Sequence, residues 1–302
     1  MAEIAVLAGF GSLWRFDAVF AEVYGRTPAE IRRSQGATGR NHRMNRLAKC
    51  CSHLVVVGLT FVVLTSTLIA QQQAGAANAP TDEKRLFYIG LALYSEPWSQ
   101  NDVVELSDSL QRASKYHVVP LIASNVARGA RQYPIADDAT IVSLVRRAAE
   151  QARTDDIVFV DISSHGARQM LARKVDGNPA TALPSRELAR KLSPLAGHRT
   201  VIIISACFSG SMIGDLRAPE RIIIAAARAD RSSFGCAPDR HNTFFGEAEL
   251  HAFGEPNRSL RQVFAAIRDD VAHMERADRY TPSEPQVSIG SDAGALYDAP
   301  VF

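Results

Sequence analysis

Three segments of the chain read as strands buried on both faces: DIVFVDISS (156–164), TVIIISA (200–206) and RIIIAAA (221–227). Their apolar residues are consecutive rather than alternate, as in sheets covered by helices on both sides. The stretches between them are long enough for crossover helices, which parallel pairing requires. Two earlier segments extend the set, RLFYIGLALY (85–94) and HVVPLIA (117–123); Pro120 fits the second only to a sheet edge. Helical spacing marks 101–114, 137–152 and 185–195, and two late helices over HNTFFGEAELHAF and SLRQVFAAIRDDVAHMERA. The alternation predicts an α/β fold, an open and mostly parallel sheet with helices on both faces. The longest irregular stretches are 124–136, 166–184 and 228–242. The last two follow strand ends, where such sheets bind ligands.

The N-terminus has a different character. Residues 54–70, LVVVGLTFVVLTSTLIA, carry no charge, follow a basic, acid-free flank and precede QQQAGAANA. That order reads as a signal peptide or signal anchor over 44–79, with the basic side in the cytoplasm and the following domain outside the inner membrane, secreted or anchored in the periplasm. Ahead of it, AGFGSLWRFDAVFAEVYGRTPAEIRR (8–33) resembles the last part of an AraC-type DNA-binding domain. Only about one of that family's helix-turn-helix units is present, so 1–43 is expected to be a fused remnant or a misplaced start, with Met44 beginning the working protein. The remaining domain, 80–302, is left slightly acidic although the chain is +2 overall, which argues against a nucleic-acid partner. Four cysteines in 302 residues make no disulfide framework. No Cys/His spacing matches a zinc site, and neither metal nor organic cofactor is expected.

The chemistry gathers at two strand ends. The strand at 156–164 runs into Ser-Ser-His-Gly, with His165, and the strand at 200–206 into Ser-Ala-Cys-Phe-Ser-Gly, with Cys207. In a parallel sheet both ends lie at one rim, and neighbouring strands are about 5 Å apart. A thiol beside an imidazole can lose its proton and act as a nucleophile. The amides of Gly166 and Cys207 are placed to stabilise an oxyanion. Gly166 is expected to allow a sharp turn, and Ala206, Ser209 and Gly210 to leave room for a substrate backbone. Other candidates are weaker. His198 precedes its strand and so lies at the opposite rim. Asp161 lies roughly 13 Å back along the strand from His165, too far to orient it, and is expected to be structural. His241 is a second choice for the cleft. Cys236, in the loop region after the strand at 221–227, reads as an inert thiol; the alternative, a redox pair with Cys207, lacks the C-x-x-C spacing.

The order His-Gly after one strand, then Ala-Cys-x-Ser-Gly after the next, resembles the caspase-like cysteine peptidases, and within them the legumain family, peptidase family C13, especially its bacterial branch. VFVDISSHG, SACFSGSM, AAARADRSSFGCA (225–237) and the T-P-S-E-P-Q run (281–286) carry the resemblance, which spans about 85–290. It implies a caspase-like fold over 80–302 and hydrolysis of a peptide or protein substrate through an acyl-enzyme. His165 would be the general base, Cys207 the nucleophile, and Gly166 and Cys207 the oxyanion donors. Ser232 and Ser233 would line the specificity pocket with Asp230 and Arg231 beside it. Ser205, counted with the substrate-binding residues, stands where asparaginyl members carry an acid. The loop YSEPWSQN (94–101) shows no counterpart of their asparagine. The expectation is therefore a cysteine endopeptidase, with cleavage after Asn or Asp carried only by the family resemblance. The alternatives are a transamidase of the same family, a non-catalytic exported binding protein keeping the fold, and, from residues 8–33, a DNA-binding regulator.

Overall fold

The computed structural model describes residues 83–126, 133–237 and 240–302. The AraC-like fragment and the apolar run at 54–70 lie outside the described residues. From Lys84 onward the chain belongs to one compact unit. Its centre is a six-stranded sheet in the order β2-β1-β3-β7-β8-β9, built from β1 (Arg85–Ala92), β2 (His117–Ser124), β3 (Ile157–Ser163), β7 (Thr200–Ser205), β8 (Arg221–Ala225) and β9 (Gln286–Ile289). All pairs are parallel except β8 with β9. β2 is an edge strand, so Pro120 removes no ladder hydrogen bond on its outer side.

Consecutive apolar residues feed two cores. Leu86, Tyr88, Ile157, Phe159, Val201, Ile203, Ile222 and Ile224 face helices α1 (Pro97–Ala113), α5 (Phe244–Gly254), α6 (Leu260–Ala277) and α7 (Gly294–Asp298). Their alternates, Phe87, Ile89, Val158, Val160, Ile202, Ile204 and Ile223, face α2 (Asp138–Gln151), α3 (Ser185–Lys191) and α4 (Ile213–Leu216). Period-two alternation is thus present within each strand, but both faces take apolar side chains. Local signals start α2 and α6 where the sequence places them, whereas α1 begins at Pro97, four residues ahead of the Asn101 start read from the sequence. Asp137 caps α2 through Thr140 N, and Ser259 and Gln262 form a capping box at α6.

Two further features depart from the sequence reading. The stretch 166–184 is not irregular: it folds into a small antiparallel sheet of β4 (Gly166–Ala167), β5 (Met170–Arg173) and β6 (Thr181–Pro184). The antiparallel β9 also adds an outer edge beyond β8. Among the described residues no helix is long and apolar enough to cross a membrane.

Candidate active site

Register levels the strand ends. Ala92 of β1 pairs with Ser163 of β3, and Ser163 pairs with Ser205 of β7. The residues that follow each strand therefore emerge at one rim: Tyr94 to Trp98 after β1, His165 after β3, Cys207 after β7 and the segment 226–237 after β8. Ser164 N donates to Ser205 O at 3.1 Å, extending the β3–β7 contact past the last ladder pair. Gly166 then packs directly on Cys207. A Cβ added to Gly166 would sit 2.3 Å from Cys207 O and 3.0 Å from Ala206 Cβ. Its φ is not positive, so this glycine serves close approach rather than a sharp turn.

The His165 ring is held from three sides. Tyr94 meets it edge-on at 4.4 Å and Trp98 at 5.1 Å between centroids. Nε2 lies 3.3 Å from Glu96 Oε2, and the same carboxylate oxygen accepts Trp98 Nε1 at 3.0 Å. The Cys236 side chain also acts on the ring. Burial alone would lower the His165 pKa, but Cys236 and Glu96 outweigh it and push it up to about 10. Burial likewise would raise the Glu96 carboxyl. The hydrogen bond and charge of His165, with Trp98 and Lys174, hold it below the usual range instead. Glu96 and Cys236 are the partners that sequence reasoning missed. Glu96 follows β1 at the same rim, so the rule that found His165 and Cys207 reaches it too.

Cys207 sits on the segment after β8. Its Sγ lies 3.3 Å from both Ser233 O and Ser233 N. Phe208, with φ of 57°, turns the chain in the left-handed region and donates its N–H to Arg231 O at 2.8 Å. Ser209 and Gly210 do not open space for a substrate. Ser209 Oγ accepts from Ala227 N at 3.1 Å, and a Cβ on Gly210 would meet Ala227 O at 2.7 Å. Ala206 is likewise buried. These small residues let the Cys207 turn dock against β8.

The predicted pocket residues separate into two groups. Ser232 and Ser233 lie beside Cys207 and are nearly buried. Asp230 and Arg231 stand further out: Asp230 pairs with Arg228 at 2.6 Å, and Arg231 lies 3.4 Å from Glu284. Arg228 also pairs with Glu284 at 2.5 Å, so the T-P-S-E-P-Q run joins the rim. Ser205 does not line the cleft. It is 1% exposed, and its hydroxyl lies 3.1 Å from Thr243 Oγ1. Thr243 donates to Asp102 Oδ2 at 2.9 Å, and Ser163 Oγ donates to the same oxygen at 2.8 Å. Asp102 thus ties together the ends of β3 and β7, two residues ahead of His165 and Cys207, and burial raises its own pKa to about 6. His241 is also removed from the cleft: it is exposed and pairs with Glu105 at 2.5 Å. Asp161 is structural, as expected, and accepts the Tyr88 hydroxyl at 2.5 Å. Among the described residues no cluster of three or more His, Cys, Asp or Glu could hold a metal ion.

The chain matches the model of the peptidase C13 family over residues 136–294, which includes both predicted dyad residues. No curated protein sequence matches it. Among solved structures, caspase-1 from Spodoptera frugiperda is similar at 16% identity with a TM-score of 0.48, covering 69% of this chain and 89% of that one. The family match spans more than half of the chain, and the chain therefore belongs to the peptidase C13 family, of cysteine-peptidase type.

Proposed function

We propose that the protein is a cysteine endopeptidase in which Cys207 attacks the scissile carbonyl and His165 moves the proton. The observation that carries this reading is the shared rim: register-matched ends of β3 and β7 seat the His165–Gly166 backbone against Cys207. Glu96 lies at Nε2 of His165, so this reading gives Nδ1 to the Cys207 proton, with Cys236 also beside the ring. The imidazole, its pKa pushed up to about 10, already carries the proton given up by Cys207, and the thiolate adds to the carbonyl carbon. The imidazolium then protonates the leaving amine as the C–N bond breaks. A water molecule hydrolyses the resulting thioester, with His165 as its base.

The Gly166 N–H suits an oxyanion donor. His165 O accepts from Ala172 N at 2.9 Å, which makes Gly166 with Leu171 the non-hydrogen-bonded pair of the β4–β5 ladder. The Gly166 amide therefore points away from β5, and the Cys207 amide is its counterpart across the turn. Ser232 and Ser233 run alongside the bound peptide, with Arg231 and Asp230 at the outer wall, where a side chain such as Asn or Asp precedes the scissile bond. In the same reading the domain works outside the inner membrane, exported through residues 44–79.

Labelling with acyloxymethyl-ketone peptides ending in Asn, Asp or Arg tests the assignment. The label is expected on Cys207 by peptide mapping, to be lost in His165→Ala, and to favour Asn or Asp. A label on any other residue would refute it. Gly166→Ala is a second test. Moving the backbone off the Cys207 carbonyl is expected to cost about 100-fold or more in turnover, since a 1 Å misplacement suffices for that. Turnover within a few-fold of wild type would remove Gly166 from the site.

A further inference from the structure

Two thiols, not one, meet at this rim, and a single short turn touches both sides of the dyad. Ser233 contacts the Cys207 sulfur through its backbone N and O, each at 3.3 Å. Three residues later stands Cys236, whose side chain acts on the His165 ring. Glu96 lies 3.3 Å from Nε2 of the same ring. The turn between them is pinned. Gly235 has φ of +92°, Phe244 N donates to Phe234 O at 3.1 Å, and a Cβ on Gly235 would lie 2.4 Å from Phe244 N. Both cysteines are partly exposed thiols in the structure.

We infer that Cys236 is the resolving thiol of an oxidative off-switch: a hydroperoxide converts the site to a Cys207–Cys236 disulfide, and a dithiol restores it. The inference rests on Cys207 being the nucleophile. The Cys207 thiolate attacks the peroxide, the O–O bond breaks, and sulfur is left as sulfenic acid with hydroxide or alkoxide released. The Cys236 thiolate then attacks that sulfur, forming the S–S bond and expelling hydroxide. Two electrons pass from the two sulfurs to one peroxide. Thiol–disulfide exchange with a dithiol reverses the oxidation. The disulfide protects Cys207 from the irreversible sulfinic and sulfonic states while removing the nucleophile.

The full chain, treated with hydrogen peroxide, alkylated and digested, gives the direct readout. The expected product is a Cys207–Cys236 linked peptide, with probe labelling of Cys207 down at least about tenfold and regained on adding dithiothreitol. In Cys236→Ser, compared with its own reduced state, the same treatment is expected to leave Cys207 as sulfinic or sulfonic acid and the loss permanent. Gly235→Ala is expected to lower the yield of linked peptide, since a disulfide needs Cα atoms about 4.4–6.8 Å apart. Cys207 over-oxidised in the wild type while Cys236 stays alkylatable, or Cys207 linked to Cys50 or Cys51, would overturn the inference. If the disulfide forms but no peptide is ever cleaved, the peptidase reading falls and the thiol pair stands.

Discussion

Cys207→Ala and His165→Ala are each expected to lower kcat on a peptide substrate by about 10⁴-fold or more, and the double variant by no more than either alone, because nucleophile and base act as one unit. The geometry gives this result its content. In the proposed mechanism His165 takes and returns the proton of Cys207, so either residue without the other leaves the step incomplete. Additive losses would mean that the two residues work separately. The stability of Cys207→Ala should stay close to wild type, since the partly exposed sulfur rests on Ser233 backbone atoms rather than in either core. Circular dichroism and urea midpoints on the same samples separate lost chemistry from lost fold. A Cys207→Ala enzyme retaining a tenth of wild-type turnover would end the assignment.

What the sequence made legible follows the strength of its local signals. β3, β7 and β8 are runs of β-branched residues that can lie only in a sheet covered on both faces, and helical spacing fixed the crossovers between them. Order and polarity of these elements were enough to bring His165 and Cys207 to one rim. β4 to β6 escaped because strands of two to four residues with mixed burial leave no readable period. β9 escaped for the same reason, its four residues being half-buried or exposed at an edge. Ser205 was misplaced because a residue's distance from the nucleophile along the chain does not tell which way its side chain points. Its hydroxyl turns under the sheet rim, toward Thr243 and Asp102. Gly210 was misread because an absent side chain looks like room for a ligand, and here the protein's own Ala227 carbonyl fills it.

Folding stability is expected to be greatest near pH 4 to 5 and to fall as the solution is brought toward pH 8. Behind the Asp102 tether lies a group of buried acids on the helix-bearing face. Burial first, then the neighbouring charge of Asp102, raises Asp161 to about 7, against hydrogen bonds from the Tyr88 hydroxyl and the Ile162 backbone. Glu249, equally buried, is raised well above the ordinary carboxylate range by burial and by Asp161 and Asp102. Asp161 Oδ1 and Glu249 Oε1 have no hydrogen-bond partner among the described residues. Unfolded, such carboxyls titrate near 4. Between that value and the folded one the native state holds more protons, so stability falls with rising pH, by about 1.4 kcal/mol per pH unit for each fully titrating group. The window runs from about pH 4 to about 6 for Asp102 and to about 7 for Asp161, and higher for Glu249. His165, also raised, contributes in the same direction above its unfolded value. Glu96 and Asp156, whose pKa values are lowered, contribute stability that is lost only as pH falls below about 4, which sets the acid limit. Asp161→Asn keeps an acceptor for Tyr88 and Glu249→Gln keeps the side-chain shape, so both are expected to flatten the decline and to raise stability at pH 8, where the wild type must bury charge. Urea unfolding of wild type and both variants at pH 5, 6.5 and 8 measures it. A wild-type midpoint that rises between pH 5 and 8, or variants that keep the full decline, would show that these acids do not hold their protons in the fold.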